Sequence, residues 1–411
     1  MMLIERHIPE GDDFLDPAEV LTLDAPELAR RTQALVPLLR DHAAEAETLR
    51  RPVAEVWSAI RRSGFFYQFV PKAFGGMATD TDGFIDAALP LAMADPGTAW
   101  SACFCAGHNR TLAQFPVEAQ QEIWGGDFPY IVAPSLGAPP AKGVRVDGGC
   151  RISGAWSWGS GIMDADWVLA MAMLASEGAD PQFVMTVFPA AEATVTDTWR
   201  MDGLASSGSN DVSVTELFIP EHRMMVDIGS MIAGGTIGAR GHPEPVFHMP
   251  MVTFAGLVAV VPVLGAAKGL LDLYRQLLPE RTVKGSQARQ SENPLAQSRL
   301  AQADVMISAA EQIVRNASRL GQTAAGLEPG EQVPLRVRLR AELAFAVKLC
   351  RDAAALMMEG AGSSVHHLDQ PFQRIVRDLG TMASHVAFDA DASNELHGRL
   401  LLGMSPNSSI F

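Results

Sequence analysis

The sequence predicts an α+β chain in α–β–α order, with a helical domain over residues 1–129, a β domain over 130–232 and a helical bundle over 233–411. Three observations predict it. Apolar residues recur at helical spacing in the first third, and the period then changes to short alternating runs. Long stretches rich in Ala, Leu and Arg fill the remainder.

In the first domain, Leu35, Leu38 and Leu39, then Val53, Val56, Trp57 and Ile60, fall three or four positions apart, the pattern of helices burying one face each. In the second, residues 167–172, 183–188 and 212–219 form apolar or alternating runs punctuated by Gly, Pro and Asp, which read as strands. A Gly- and Pro-rich connector, 234–250, leads into long helices interrupted near 279–294 and 326–334. The longest apolar run, 252–267, contains Pro262 and two glycines and is followed by Lys268. It reads as a buried bundle helix instead of a membrane span, and burial on every side points to oligomerisation.

A chain of 411 residues, 48% hydrophobic, can bury a large core over two or three domains. Its 32 Lys and Arg against 47 Asp and Glu leave a formal charge of −15, which disfavours nucleic acid or acidic lipid as partners. Cys103, Cys105, Cys150 and Cys350 lack C-x-x-C spacing and are too scattered for a disulfide scaffold, so a reducing cytoplasm is expected. Residues 1–17 intersperse charges without an apolar core, so no secretory signal is expected.

Two motifs in the β domain carry chemistry. The first is Gly154-Ala155-Trp156-Ser157-Trp158-Gly159-Ser160-Gly161. The second runs from Trp199 through Gly203, Ser207, Gly208 and Ser209 to Asn210 and Asp211, and the segment closes at Ile219-Pro220-Glu221-His222-Arg223. If residues 151–160 are extended, Trp156, Trp158 and Ser160 share one face, giving two indoles and a hydroxyl suited to a flat aromatic cofactor. Core filling by the two indoles is the alternative.

These motifs combine with Glu55 to Phe66, Val70 to Gly76, Ala94-Asp95-Pro96-Gly97-Thr98-Ala99-Trp100 and Gln373-Arg374-Ile375-Val376-Arg377-Asp378. In order and spacing, over nearly the whole chain, they resemble the acyl-CoA dehydrogenase superfamily. Within it they resemble the two-component, reduced-flavin-dependent aromatic monooxygenases, the oxygenase components of the p-hydroxyphenylacetate and secosteroid hydroxylase type. The resemblance implies the acyl-CoA dehydrogenase fold: an N-terminal helical domain, a central β-barrel or sandwich and a C-terminal four-helix bundle. It also implies an oxygenase component that uses reduced flavin, FMNH2 ahead of FADH2, with O2 as co-substrate. Through a C4a-hydroperoxyflavin, such an enzyme hydroxylates an aromatic or heteroaromatic small molecule. A separate NAD(P)H:flavin reductase and a homotetramer are the implied partners. No G-x-G-x-x-G fingerprint lies between a strand and a helix, which agrees with an external reductase.

Residue roles follow from the same resemblance. Where the dehydrogenase branch places a carboxylate base after its Arg-Asp pair, the stretch 377–386 carries His385 instead. A histidine there sits beside the reactive edge of the flavin in the monooxygenase branch, and can donate a proton. His108 matches a histidine that accepts a phenolic proton, a task suited to a base of near-neutral pKa, and Ser135 matches a hydroxyl that contacts substrate or flavin. Ser160 matches the hydroxyl near flavin N5, and Trp158 the aromatic beside the ring. Ser207 and Ser209 belong to the loop lining the flavin. Arg281, with Lys284 and Arg289 as alternatives, matches an arginine reaching the flavin phosphate across a subunit boundary. Gly362 and Ser363 match the turn that aims backbone N–H groups at that phosphate. His108, Ser160 and His385 are thus the expected catalytic residues.

Other readings are an acyl-CoA dehydrogenase-like flavoenzyme, an N- or S-oxidising monooxygenase of the same fold, and a flavin-free helical scaffold. Metal catalysis is not expected, because His366 and His367 are adjacent and no other set has ligand spacing. Nor is a Ser-His-Asp hydrolase, since no G-x-S-x-G elbow lies between a strand and a helix. Asp164 and Asp166 read as turn and strand-entry residues.

Overall fold

Helix starts follow side-chain capping: Asp24 accepts from the Glu27 amide, Asp80 from that of Gly83, and Asp95 from that of Gly97, with Pro96 opening the helix it caps. The structure, a computed structural model, describes residues 13–126, 129–176, 178–282 and 285–408, so residues 1–12 and Lys284 lie outside it. Helices α1 (Pro17–Val20), α2 (Ala25–Ala34), α3 (Val36–Leu49), α4 (Ala54–Ser63), α5 (Thr81–Ala94), α6 (Pro96–Leu112) and α7 (Val117–Trp124) come first.

Strands β1 (Ser135–Val146), β2 (Gly149–Trp156), β3 (Trp167–Ser176), β4 (Ala179–Pro189), β5 (Thr194–Thr196), β6 (Asp211–Pro220) and β7 (Met224–Met225) then form one sheet in the order β5-β6-β2-β1-β3-β4-β7. Among the described residues only β1 and β3 run parallel; every other pairing is antiparallel. The sheet buries a core of its own around Trp156, Ile162 and Phe188, separate from the main helical core. After it come α8 (Ile228–Ala233), α9 (Met251–Glu280), α10 (Pro294–Thr323), α11 (Pro329–Ala361), α12 (Pro371–Met382) and α13 (Ala390–Leu401).

The apolar α9 is the axis of the helical half, packed by α5, α6, α10, α11 and α12. Its glycines allow the closest of these approaches. A Cβ at Gly265 would lie 2.3 Å from the Ala92 Cβ, and one at Gly269 would lie 2.5 Å from the Met93 carbonyl oxygen. The chain thus covers most of this helix by itself, so its apolar sequence is accounted for without a partner subunit.

The alternation expected for residues 151–160 also fails at its end. Strand β2 stops at Trp156, which is 1% exposed and donates its indole N–H to the Met171 carbonyl at 3.2 Å. Trp158 is 58% exposed and takes a left-handed backbone with φ +67°, so its ring swings away from the face of Trp156. Two-residue periodicity holds only while the backbone stays extended, and the chain leaves the sheet before Trp158. Trp156 is core, and Trp158 alone is presented.

Candidate active site

Trp100, Phe104 and His108 recur every four residues on α6 and so present one helix face. That face forms one wall of a cleft of about 770 Å³. The start of β1, the turn carrying Trp158 and Ser160, the 199–209 loop and the end of α12 complete it. Its surface is mainly aromatic and apolar, with hydroxyls contributed by several of these walls.

Two of these hydroxyls, Ser160 and Ser209, belong to a hydrogen-bonded chain. The Trp100 indole N–H donates to Ser160 Oγ at 3.2 Å, Ser160 Oγ lies 2.9 Å from Ser209 Oγ, and Ser209 Oγ lies 2.8 Å from Ser207 Oγ. Behind them the Ser101 hydroxyl donates to the Ser207 carbonyl at 2.9 Å. Because Trp100 fills one acceptor site of Ser160, the Ser160 proton is free to serve Ser209 or a group in the cleft.

The loop carrying Ser207 and Ser209 is held from both sides. Leu204, in the left-handed region at φ +62°, donates its amide to Asp378 Oδ1 on α12. Ser206 donates to Asp95 Oδ1 at 3.2 Å, the same carboxylate that caps α6. Asn210 Oδ1 accepts from the Thr198 and Trp199 amides at 3.0 and 2.9 Å. Gly203 fits against the Arg377 carbonyl where a Cβ would come within 2.2 Å. Burial, and the nearby Asp95 carboxylate, push Asp378 up to about 7. Burial raises Asp95 as well.

The two histidines adopt opposite tautomers. His108 Nδ1 lies 2.6 Å from the Ala133 carbonyl, which can only accept, so the ring proton sits on Nδ1 and Nε2 carries a lone pair. His385 Nδ1 accepts from the Ala387 amide at 3.3 Å, so a neutral His385 carries its proton on Nε2. One imidazole can accept and the other can donate. Phe104 lies between them, its ring centre 5.8 Å from each. Burial pushes His108 down to about 4 and lowers His385 too. This corrects the near-neutral base expected at His108: desolvation disfavours the imidazolium, leaving a neutral but weak acceptor.

Of the expected site residues, His108, Ser135, Trp158, Ser160, Ser209 and His385 line the one cleft. Ser207 does not; it is fully buried, one hydrogen bond behind Ser209. Arg281, Gly362 and Ser363 meet elsewhere, at the adjoining ends of α9 and α11. There Arg281 donates to Ser364 Oγ and abuts the turn at Gly362, whose φ is +74°. Arg289 bonds the Glu280 carbonyl at 3.1 Å. Sequence reasoning gave no role to Trp100, Phe104, Trp199 or Arg377, which also line the cleft. For Trp100 and Phe104 the signal was available in their four-residue spacing from His108. Asp164 and Asp166 do more than enter a strand, for Asp166 lies 3.6 Å from the buried Arg61 guanidinium, which also donates to the Asp164 carbonyl.

Helices before and after a central sheet, with an aromatic cleft where helices and sheet meet, make up the acyl-CoA dehydrogenase fold. Residues 257–390 match the family described as acyl-CoA dehydrogenase, C-terminal domain. The flavin-dependent monooxygenase oxygenase subunit HsaA of Rhodococcus jostii is 31% identical, over 90% of this chain and 96% of its own. The oxygenase component of the FADH2-dependent resorcinol hydroxylase of a Rhizobium species is 30% identical, over 92% of this chain and 95% of its own. The structure of XiaF from a Streptomyces species, in complex with FADH2 and glycerol, superposes with a TM-score of 0.87 at 28% identity, covering 95% of this chain and 98% of that one.

The chain belongs to the flavin-dependent monooxygenases, as an oxygenase component working with reduced flavin and O2. The cleft suits such a cofactor. An exposed indole offers a stacking face, and serine hydroxyls with an imidazole N–H supply donors for the nitrogens and oxygens of a flavin ring.

Proposed function

We propose that this oxygenase hydroxylates an aromatic or heteroaromatic ring in the cleft, on reduced flavin delivered by a separate NAD(P)H:flavin reductase. The observation that carries the reading is the pair of oppositely tautomeric histidines on either side of Phe104. Bound reduced flavin supplies two electrons to O2, so that one oxygen atom enters the substrate, the other leaves as water, and the flavin is oxidised.

The protein's own part is orientation and proton handling. His108 Nε2 accepts the hydrogen bond of a ring hydroxyl, which raises electron density on the ring carbons. His385 donates from Nε2 on the side where oxygen is activated. Ser160, set by Trp100 and Ser209, would offer its hydroxyl to the ring of a bound flavin, and Trp158 would wall that ring. Ser135 contacts the substrate from the start of β1. Ser207 acts by holding Ser209. Aromatic walls keep bulk water from the reacting atoms.

Arg281, with Gly362 and Ser363, is assigned to the flavin phosphate of a neighbouring subunit in a homotetramer, supported by their meeting in one surface cluster away from the cleft. Four buried, unpaired cysteines suit a cytoplasmic setting.

The test supplies photoreduced FMN or FADH2 anaerobically, adds ¹⁸O2, and scores phenols and indoles for labelled product against hydrogen peroxide. Incorporation of one labelled atom per flavin oxidised is expected. Flavin oxidation that yields only peroxide across the whole panel would sink the reading.

A further inference from the structure

We propose that the cleft selects an uncharged phenol or heteroarene and rejects an aryl carboxylate of the same size. This rests on the aromatic-hydroxylase reading above and narrows its substrate class. Among the described residues lining the cleft, the charged side chains are Asp202 and Arg377.

Arg377 is already committed. Its Nη2 donates to the Glu47 carboxylate, its Nε to Gln373 Oε1 at 2.8 Å, and its Nη1 to the Asp202 carbonyl. Glu47, which also lies 4.0 Å from Arg374, pairs with Arg377, and these three bonds hold the guanidinium on protein acceptors instead of leaving it free to turn to a ligand. Asp202, exposed at the rim, contributes a negative field. The two histidines add no compensating charge, because burial keeps both imidazoles neutral at ordinary pH.

Around them stand Trp100, Phe104, Trp158, Trp199 and Met201. A carboxylate brought into this space loses its water, meets among the described lining residues no cation other than the already bonded Arg377, and faces Asp202, and desolvating an unpaired charge is costly. A neutral ring hydroxyl loses little, since the lone pair on His108 Nε2 replaces a water. The preference is therefore electrostatic and not steric, and an acid should be distinguishable from its isosteric amide.

The experiment uses matched pairs, 4-hydroxyphenylacetamide with 4-hydroxyphenylacetate and indole-3-acetamide with indole-3-acetate. Dissociation constants are read from quenching of tryptophan fluorescence in the full chain, with hydroxylation scored in parallel. The amide is expected to bind tighter by about tenfold, which corresponds to about 1.4 kcal/mol. In Asp202→Lys the ratio should shrink about threefold or more, because the rim charge reverses sign.

Equal or tighter binding of the acids by the unaltered protein overturns the proposal. So does failure of every amide to bind, or a ratio that Asp202→Lys leaves unmoved. Binding is read without turnover, so a failure of hydroxylation with the amide still preferred counts against the aromatic-hydroxylase reading and not against the charge preference.

Discussion

Ser160 brings the hydroxyl chain to the cleft together with Ser209, accepting from Trp100 and adjoining Ser209. Ser160→Ala removes both contacts but opens little space. Stability is expected to fall by about 1 kcal/mol, the worth of an ordinary hydrogen bond. Hydroxylation should suffer more, with flavin oxidation diverted from product to hydrogen peroxide; the product-to-peroxide ratio measures this. His108→Ala should lower the hydroxylation rate about a hundredfold, the low end for losing a proton acceptor, as suits so weak a base.

The folded pKa of His108, about 4, lies below the ordinary 6.5, so the unfolded chain takes up this proton first. Stability from a neutral His108 is therefore full above pH 6.5 and is lost as pH falls towards 4. NMR titration of the His108 ring, with chemical denaturation at each pH, tests that direction.

At the scale of elements, the 203–210 loop is decided by its clamps. Asp378 on α12 holds the Leu204 amide, and its folded pKa, raised to about 7, lies above the ordinary carboxylate value of 3.8. A raised carboxyl has the opposite sign to His108. Its contribution is complete below pH 3.8 and is lost as pH rises through about 7, because the buried charged form is disfavoured. Between pH 6 and 8 this removes about 1 kcal/mol. Asp378→Asn keeps an acceptor for the Leu204 amide and should flatten that limb in denaturation curves measured across the range.

The α9–α5 contact makes a second prediction at this scale. Gly265→Val places branched carbon where even a Cβ would lie 2.3 Å from Ala92, so the two helices must separate. A loss of about 3 kcal/mol is expected, read by chemical denaturation.

The whole molecule poses the question of assembly. If Arg281 serves a flavin held partly by a neighbouring subunit, Arg281→Ala should weaken reduced-flavin binding about tenfold while leaving the cleft's residues in place, as a lost phosphate contact would. Sedimentation velocity should show a tetramer for the unaltered chain. A monomer that binds flavin as tightly with or without Arg281 would remove the cluster's assigned role.

The sequence by itself determined the α+β class, because helical and two-residue periodicities are local and survive without knowledge of contacts. It also determined the flavin-dependent monooxygenase family, through motifs whose order and spacing span the chain. The cleft partners His108, Ser135, Trp158, Ser160, Ser209 and His385 were legible as separate motifs.

Only the tertiary structure decided which of two tryptophans is presented, since one left-handed residue after Trp156 breaks an alternation that composition cannot reveal. It alone gave the tautomers of the histidines, which are set by a carbonyl 25 residues from His108 and by the Ala387 amide in the turn that follows α12. It alone showed that Arg377 is paired with Glu47, 330 residues away in the chain. The His108 proton and the Arg377 ion pair depend on groups far apart in sequence, and the His385 proton on a turn that no periodicity marks, so they exist only once the chain has packed.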